Sequence, residues 1–81
     1  MQQGNFAGAV PLLEQAVASY PKNSQDIGYA YALFNLGKSL NRSGNPDEAI
    51  PYLEQRLETY GQNKDVEREL KDAQKAARDG G

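Results

Sequence analysis

Residues Gly4–Asn23 read GNFAGAVPLLEQAVASYPKN, and forty residues further on Gly44–Asn63 read GNPDEAIPYLEQRLETYGQN. Gly4, Asn5, Ala9, Pro11, Leu13, Glu14, Gln15, Tyr20 and Asn23 recur as Gly44, Asn45, Ala49, Pro51, Leu53, Glu54, Gln55, Tyr60 and Asn63. Val10/Ile50, Val17/Leu57 and Ser19/Thr59 are conservative pairs. A unit that recurs at an offset of this size cannot bury its apolar face alone; it builds a core by stacking against its neighbours. Such stacks seldom perform chemistry and commonly offer a surface to another protein.

Composition narrows the choice. With 81 residues, one domain of thin stability margin is expected, spanning the whole chain 1–81. The 38% apolar and 25% charged content is that of an ordinary globular chain. Nothing resembles a membrane span or a secretory signal, so a cytoplasmic location is expected. Histidine and cysteine are both absent. That removes the commonest general base and the commonest transition-metal ligands, so neither an enzyme nor a cofactor is expected. A net charge of −2 argues against nucleic acid as a partner.

Four helices are predicted. The first runs over residues 5–20, with Asn5 as its cap, Phe6, Ala9, Val10, Leu13, Ala16, Val17 and Tyr20 on one face, and Pro21 as its stop. The second covers Gln25–Arg42, capped by Ser24 or Asp26, with Ser43-Gly44-Asn45 as the turn that follows. Its apolar residues spread over more than one face, as in a helix sandwiched between neighbours. The third starts at Asn45-Pro46 with Asp47 and Glu48 in its first turn, buries Ala49, Ile50, Leu53, Leu57 and Tyr60, and stops at Gly61. Pro11 and Pro51 should each bend a helix modestly. The fourth, residues 65–78, has a narrow stripe of Val66, Leu70, Ala73 and Ala77; Glu67 and Lys71 can pair, and Gly80-Gly81 should fray. A helix apolar on one side only suits the capping position of a stack.

With these units aligned, the chain resembles the tetratricopeptide repeat family. Leu33, Leu36, Gly37 and Leu40 take the first-helix places of that pattern, and Gly44, Ala49 and Leu53 the turn and second helix. Gly61 replaces the usual proline, while Phe6, Ala9, Leu13, Ala16 and Pro21 match in the earlier unit. Gly37 and Ala49 are small where paired helices should cross closely. The resemblance implies an all-α solenoid fragment of antiparallel helix hairpins, with a complete repeat at 25–61 and a capping helix at 65–78. The family period is about 34 residues, so six residues around Ser24–Tyr29 are extra; an N-terminal extension of the second helix by more than one turn would absorb them. The first unit lacks its first helix, with Met1-Gln2-Gln3 as its expected remnant, so the chain is expected to be cut from a longer array or to begin midway through a repeat.

The resemblance also implies a groove for a peptide or partner helix, lined on the second helix by Tyr31, Phe34, Asn35, Lys38, Asn41 and Arg42. Asn35 stands where some members hold a peptide backbone or carboxylate, though a full carboxylate clamp would need more basic neighbours. The competing reading is core packing for Tyr31 and Phe34, and a solvated face for Lys38, Asn41 and Arg42. Glu54/Glu58 and Asp65/Glu69 lie one turn apart but near no nucleophile, and read as solvated surface. Tyr52 and Leu12 are expected on the outer face. Without a preceding helix, Phe6, Ala9, Leu13 and Ala16 lack a cover and invite weak homodimerisation. The expected function is a non-catalytic protein-interaction module. The alternative is a structural, oligomerising or capping segment of a larger protein; the charged last helix resembles tails of bacterial signalling proteins such as serine/threonine kinases.

Overall fold

A computed structural model of the chain describes residues 5–22 and 24–80. The expected remnant Met1–Gln3, the fraying of Gly81 and the repeat positions Gly4 and Asn23 lie outside the described residues. Among the described residues four helices follow one another: α1 (Phe6–Ala18), α2 (Ile27–Arg42), α3 (Pro46–Tyr60) and α4 (Lys64–Gly80). Among the described residues there is no strand. The connections between α2 and α3 and between α3 and α4 are three residues long, which forces antiparallel neighbours. α1 packs on α2 alone; α4 packs on α3 and touches α2 over a smaller area.

Three of the four described helices start where a side chain satisfies orphan backbone N–H groups. Asn5 Oδ1 accepts from Gly8 N at 3.1 Å, and Asp26 Oδ1 accepts from Gly28 N at 2.8 Å. Asn63 Oδ1 accepts from Asp65 N at 2.9 Å and Val66 N at 3.2 Å, so α4 begins at Lys64 rather than at residue 65. Asn45 holds the cap position of α3 without a side-chain bond; Pro46 at the first turn and Asp47 and Glu48 serve instead. Gly61, at φ 96°, occupies left-handed backbone that a side chain would strain, and it ends α3. α1 and α3 continue unbroken through Pro11 and Pro51.

Three further boundaries differ from the sequence reading. α1 ends at Ala18, two residues short of Tyr20, because the residue before Pro21 is pushed out of helical conformation and Ser19 Oγ turns back to donate to Ala16 O at 2.7 Å. α2 begins at Ile27, so Ser24, Gln25 and Asp26 are connector. Only Ile27, Gly28 and Tyr29 of the six extra residues are helical, less than the turn of extension expected. The cause is Tyr60, whose hydroxyl lies 2.5 Å from Ser24 O and 2.8 Å from Asp26 O and shares its one hydrogen between them. Two more tyrosines complete this corner. The rings of Tyr20 and Tyr29 stand 5.4 Å apart, and Gln55 Nε2 donates to Tyr29 Oη at 2.6 Å. Burial pushes the Tyr60 phenol up in pKa, with Asp26 adding and Arg56 opposing. At the far end, α4 runs through Gly80, where fraying was expected.

The core is one cluster of Leu36, Leu40, Ala49, Leu53, Val66 and Ala73, all at most 3% exposed. Val10, Leu13, Val17, Ile50, Leu57 and Leu70 pack around it, and so does Tyr52, which the sequence put outside. Leu12 is 68% exposed, as expected. Instead of a Glu67–Lys71 pair, α4 carries Arg68–Asp65 and Lys75–Asp79. At the α2–α3 crossing, a Cβ on Gly37 would stand 2.6 Å from Leu53 Cγ and Cδ2. Alanine there gains about 1 kcal/mol of helix propensity, but overpacking costs about 1–3 kcal/mol. Leu53 is fully buried and its Cγ cannot swing away, so the clash wins. Gly37→Ala is therefore expected to lower stability in urea unfolding; a neutral or stabilising result would contradict the crossing geometry.

Candidate interaction surfaces

The six residues expected along a groove on α2 separate onto three surfaces. Tyr31 and Phe34 line a depression of about 320 Å³ between the first half of α2 and the α3–α4 junction. Ala30 and Val66 form its buried floor, and Arg56, Asn63 and Asp65 its polar edge. Tyr31 is 64% exposed, and Ile27, one turn before it, is 65% exposed. Phe34 is half-buried against the core, with Lys38 Nζ 6.0 Å above its ring. Ile27, Arg56 and Val66 were not foreseen. Ile27 belongs to the apolar residues that α2 spreads over more than one face, while Arg56 and Val66 reach the site from other helices through tertiary packing.

Asn35 lies toward α1, and Lys38 borders both sides, its ammonium over Phe34 and its side chain beside α1. With Phe6, Ala9, Leu12 and Leu13 they line a second, shallower depression of about 420 Å³ between α1 and α2. Of the strip expected to lack a cover, Phe6, Ala9, Leu13 and Ala16 are all half-buried, and Ala16 lies outside this depression. No residue of α1 is fully buried.

Asn41 and Arg42 do not present to a groove, because they bind α4. Asn41 is buried, and its two amide hydrogens go to Glu69 Oε2 at 2.8 Å and Asp72 Oδ2 at 2.9 Å. Arg42 forks onto the same carboxylate, Nη2 to Oε1 at 3.1 Å and Nε to Oε2 at 3.3 Å. The hydrogen bond to Glu69, and then its charge, hold the Arg42 guanidinium above its ordinary pKa against a smaller opposing effect of burial. The other side of that guanidinium covers the Phe6 ring at 5.8 Å, so Arg42 links α1 to α4 across the end of α2. Glu69 is 6% exposed, contrary to the solvated surface expected of it. Its position was readable: three residues after Val66 and four before Ala73, it falls inside the apolar stripe.

Hairpins stacked so that each helix covers the one before define a helical-repeat protein, the class whose surfaces serve other proteins. The chain belongs to the tetratricopeptide repeat family: the profile of that family, described as Tetratricopeptide repeat, matches residues 1–62. Domains of this family bind protein partners and are typically non-catalytic scaffolds. α4 lies beyond the matched stretch. Comparison with curated proteins and with solved structures gives no match. No described helix is long and apolar enough to cross a membrane, and among the described residues no three of His, Cys, Asp and Glu gather to hold a metal.

Removing Glu69 leaves one Asn41 amide hydrogen unpaired, with only Asp72 still accepting from that side chain, and loosens α4, whose apolar contacts are modest. Glu69→Ala is expected to cost about 1–3 kcal/mol, with Glu69→Gln milder. Hydrogen exchange should show the amides of α4 losing protection before those of α2 and α3; uniform loss would contradict a local latch.

Proposed function

We propose that the chain binds a peptide or partner helix in the depression between α2 and the α3–α4 junction, with Tyr31, Phe34 and Ile27 as its apolar contacts. The observation that carries this reading is the pair Ile27 and Tyr31, 65% and 64% exposed, one turn apart at the mouth of a concave site. Large apolar side chains clustered beside a polar edge favour an interaction site over scattered surface exposure. Aromatic anchors ringed by polar groups also carry most of the binding energy in interfaces. Helix-in-groove or extended-peptide capture is the mode that such a site suits.

Peptides selected on the chain from a random displayed library test this. The double variant Ile27→Ala/Tyr31→Ala is expected to weaken their binding by about tenfold or more. Both side chains are largely exposed, so melting should hardly change; Phe34→Ala is a poorer probe because Phe34 also packs on the core. Unchanged affinity in the double variant rejects the groove.

A second reading, self-association, rests on α1, which packs on one neighbour and fully buries no residue. An apolar depression edged by Phe6, Ala9 and Leu13 favours a second copy covering it. Sedimentation over about a hundredfold concentration range is expected to show mass rising with concentration. A constant monomer mass discards the dimer.

A further inference from the structure

The outer face of α4 carries charge in a pattern that packing does not require. Lys64, Arg68, Lys71, Lys75 and Arg78 are all exposed. Their spacing of four and three residues confines them to an arc of about 80° on a ridge about 20 Å long. This ridge lies opposite the buried stripe of Val66, Glu69 and Ala73, and it holds most of the cations of a chain whose net charge is −2. Asp65, Asp72 and Asp79 run along one flank, so Lys-Asp, Lys-Asp and Arg-Asp recur at 64–65, 71–72 and 78–79. Of these Asp72 also accepts from Asn41, and of the acidic residues Glu67 alone lies on the other flank, beside Lys64, Arg68 and Lys71.

A solvated face needs only polarity, and alternating signs at one-turn spacing would serve it best. Here like charges line up instead, and repel along the row. The pairs that offset this within the helix are long and exposed: Arg68–Asp65 and Lys75–Asp79, both 3.8 Å. An arrangement that repels itself in the free chain is relieved by an external anion.

We propose that this ridge docks an acidic helix of a protein partner, whose carboxylates, spaced three and four residues apart, meet the row of cations. The aspartate row selects this occupant. A helix can carry carboxylates and cations in adjacent rows and so answer both. Duplex phosphates or an anionic lipid surface present one sign, and Asp65, Asp72 and Asp79 oppose them. The ridge also lacks the exposed apolar residues that seat a helix in a bilayer. Contacts of this kind steer and orient an approaching partner, and salt screens them. The ridge meets the α2 groove at Asp65, but neither reading depends on the other.

The probe is a helical peptide of three heptads with Glu at the first and fifth places of each and Lys at the second, beside a shuffled peptide of the same composition. In about 0.02 M salt the ordered peptide is expected to bind saturably, about tenfold more tightly than the shuffled one, and to release near 0.3 M. Lys71→Glu/Lys75→Glu should weaken it about tenfold, and the neutral pair Lys71→Gln/Lys75→Gln less so, with helix content checked by circular dichroism. Asp79→Lys should weaken the ordered peptide while strengthening a duplex of about 20 base pairs. Equal binding of both peptides, no binding, or indifference to the Lys71/Lys75 changes overturns the proposal. So does tighter binding of the duplex or of phosphatidylserine vesicles.

Discussion

The approach of α2 to α3 at Gly37 decides the geometry of everything around it. With no Cβ on Gly37, Leu53 seats directly on the α2 backbone, and Ala49, one turn earlier on α3, is fully buried beside the same crossing. Leu33, Leu36 and Leu40 then reach the space on either side of the contact, each at most 3% exposed. Full burial of each such side chain is worth about 2 kcal/mol. The close crossing also brings Tyr29 within reach of Gln55, and thereby sets the corner that fixes where α2 starts.

Legibility in the sequence follows a physical division. Helix number, the faces of α2 and α3 and the close crossing were readable because periodicity, proline and glycine act locally. The start of α2 was not, because it depends on Tyr60, more than thirty residues away in sequence, reaching the carbonyls of Ser24 and Asp26. Tyr52 was misplaced for a related reason: helical phase says which side a residue faces, but not how far a neighbour wraps round it. Of the expected groove residues, Tyr31 and Phe34 share a depression, whereas Asn41 and Arg42 are consumed by contact with α4. Propensity alone cannot separate an asparagine that waits for a ligand from one that already has two carboxylates.

α4 is held to the rest of the fold in two ways. Val66, Leu70 and Ala73 supply a modest apolar contact, and the Asn41–Arg42–Glu69 network adds specificity of register. A buried carboxylate is costly unless several donors meet it. Here three N–H groups from α2 do so, which ties α4 to one rotational setting. That setting turns Lys64, Lys71 and Arg78 to water together.

The linear order of contacts has its own consequence. α1 leans on α2 and on no other helix, and none of its residues is fully enclosed. Its detachment therefore leaves the α2–α3–α4 interior sealed, except where Val10, Leu13 and Val17 had covered it. In a molecule built of nearest-neighbour layers, the outermost layer peels first and at the smallest free energy. α1 is thus a layer held by one neighbour, with Val10, Leu13 and Val17 on its inner side.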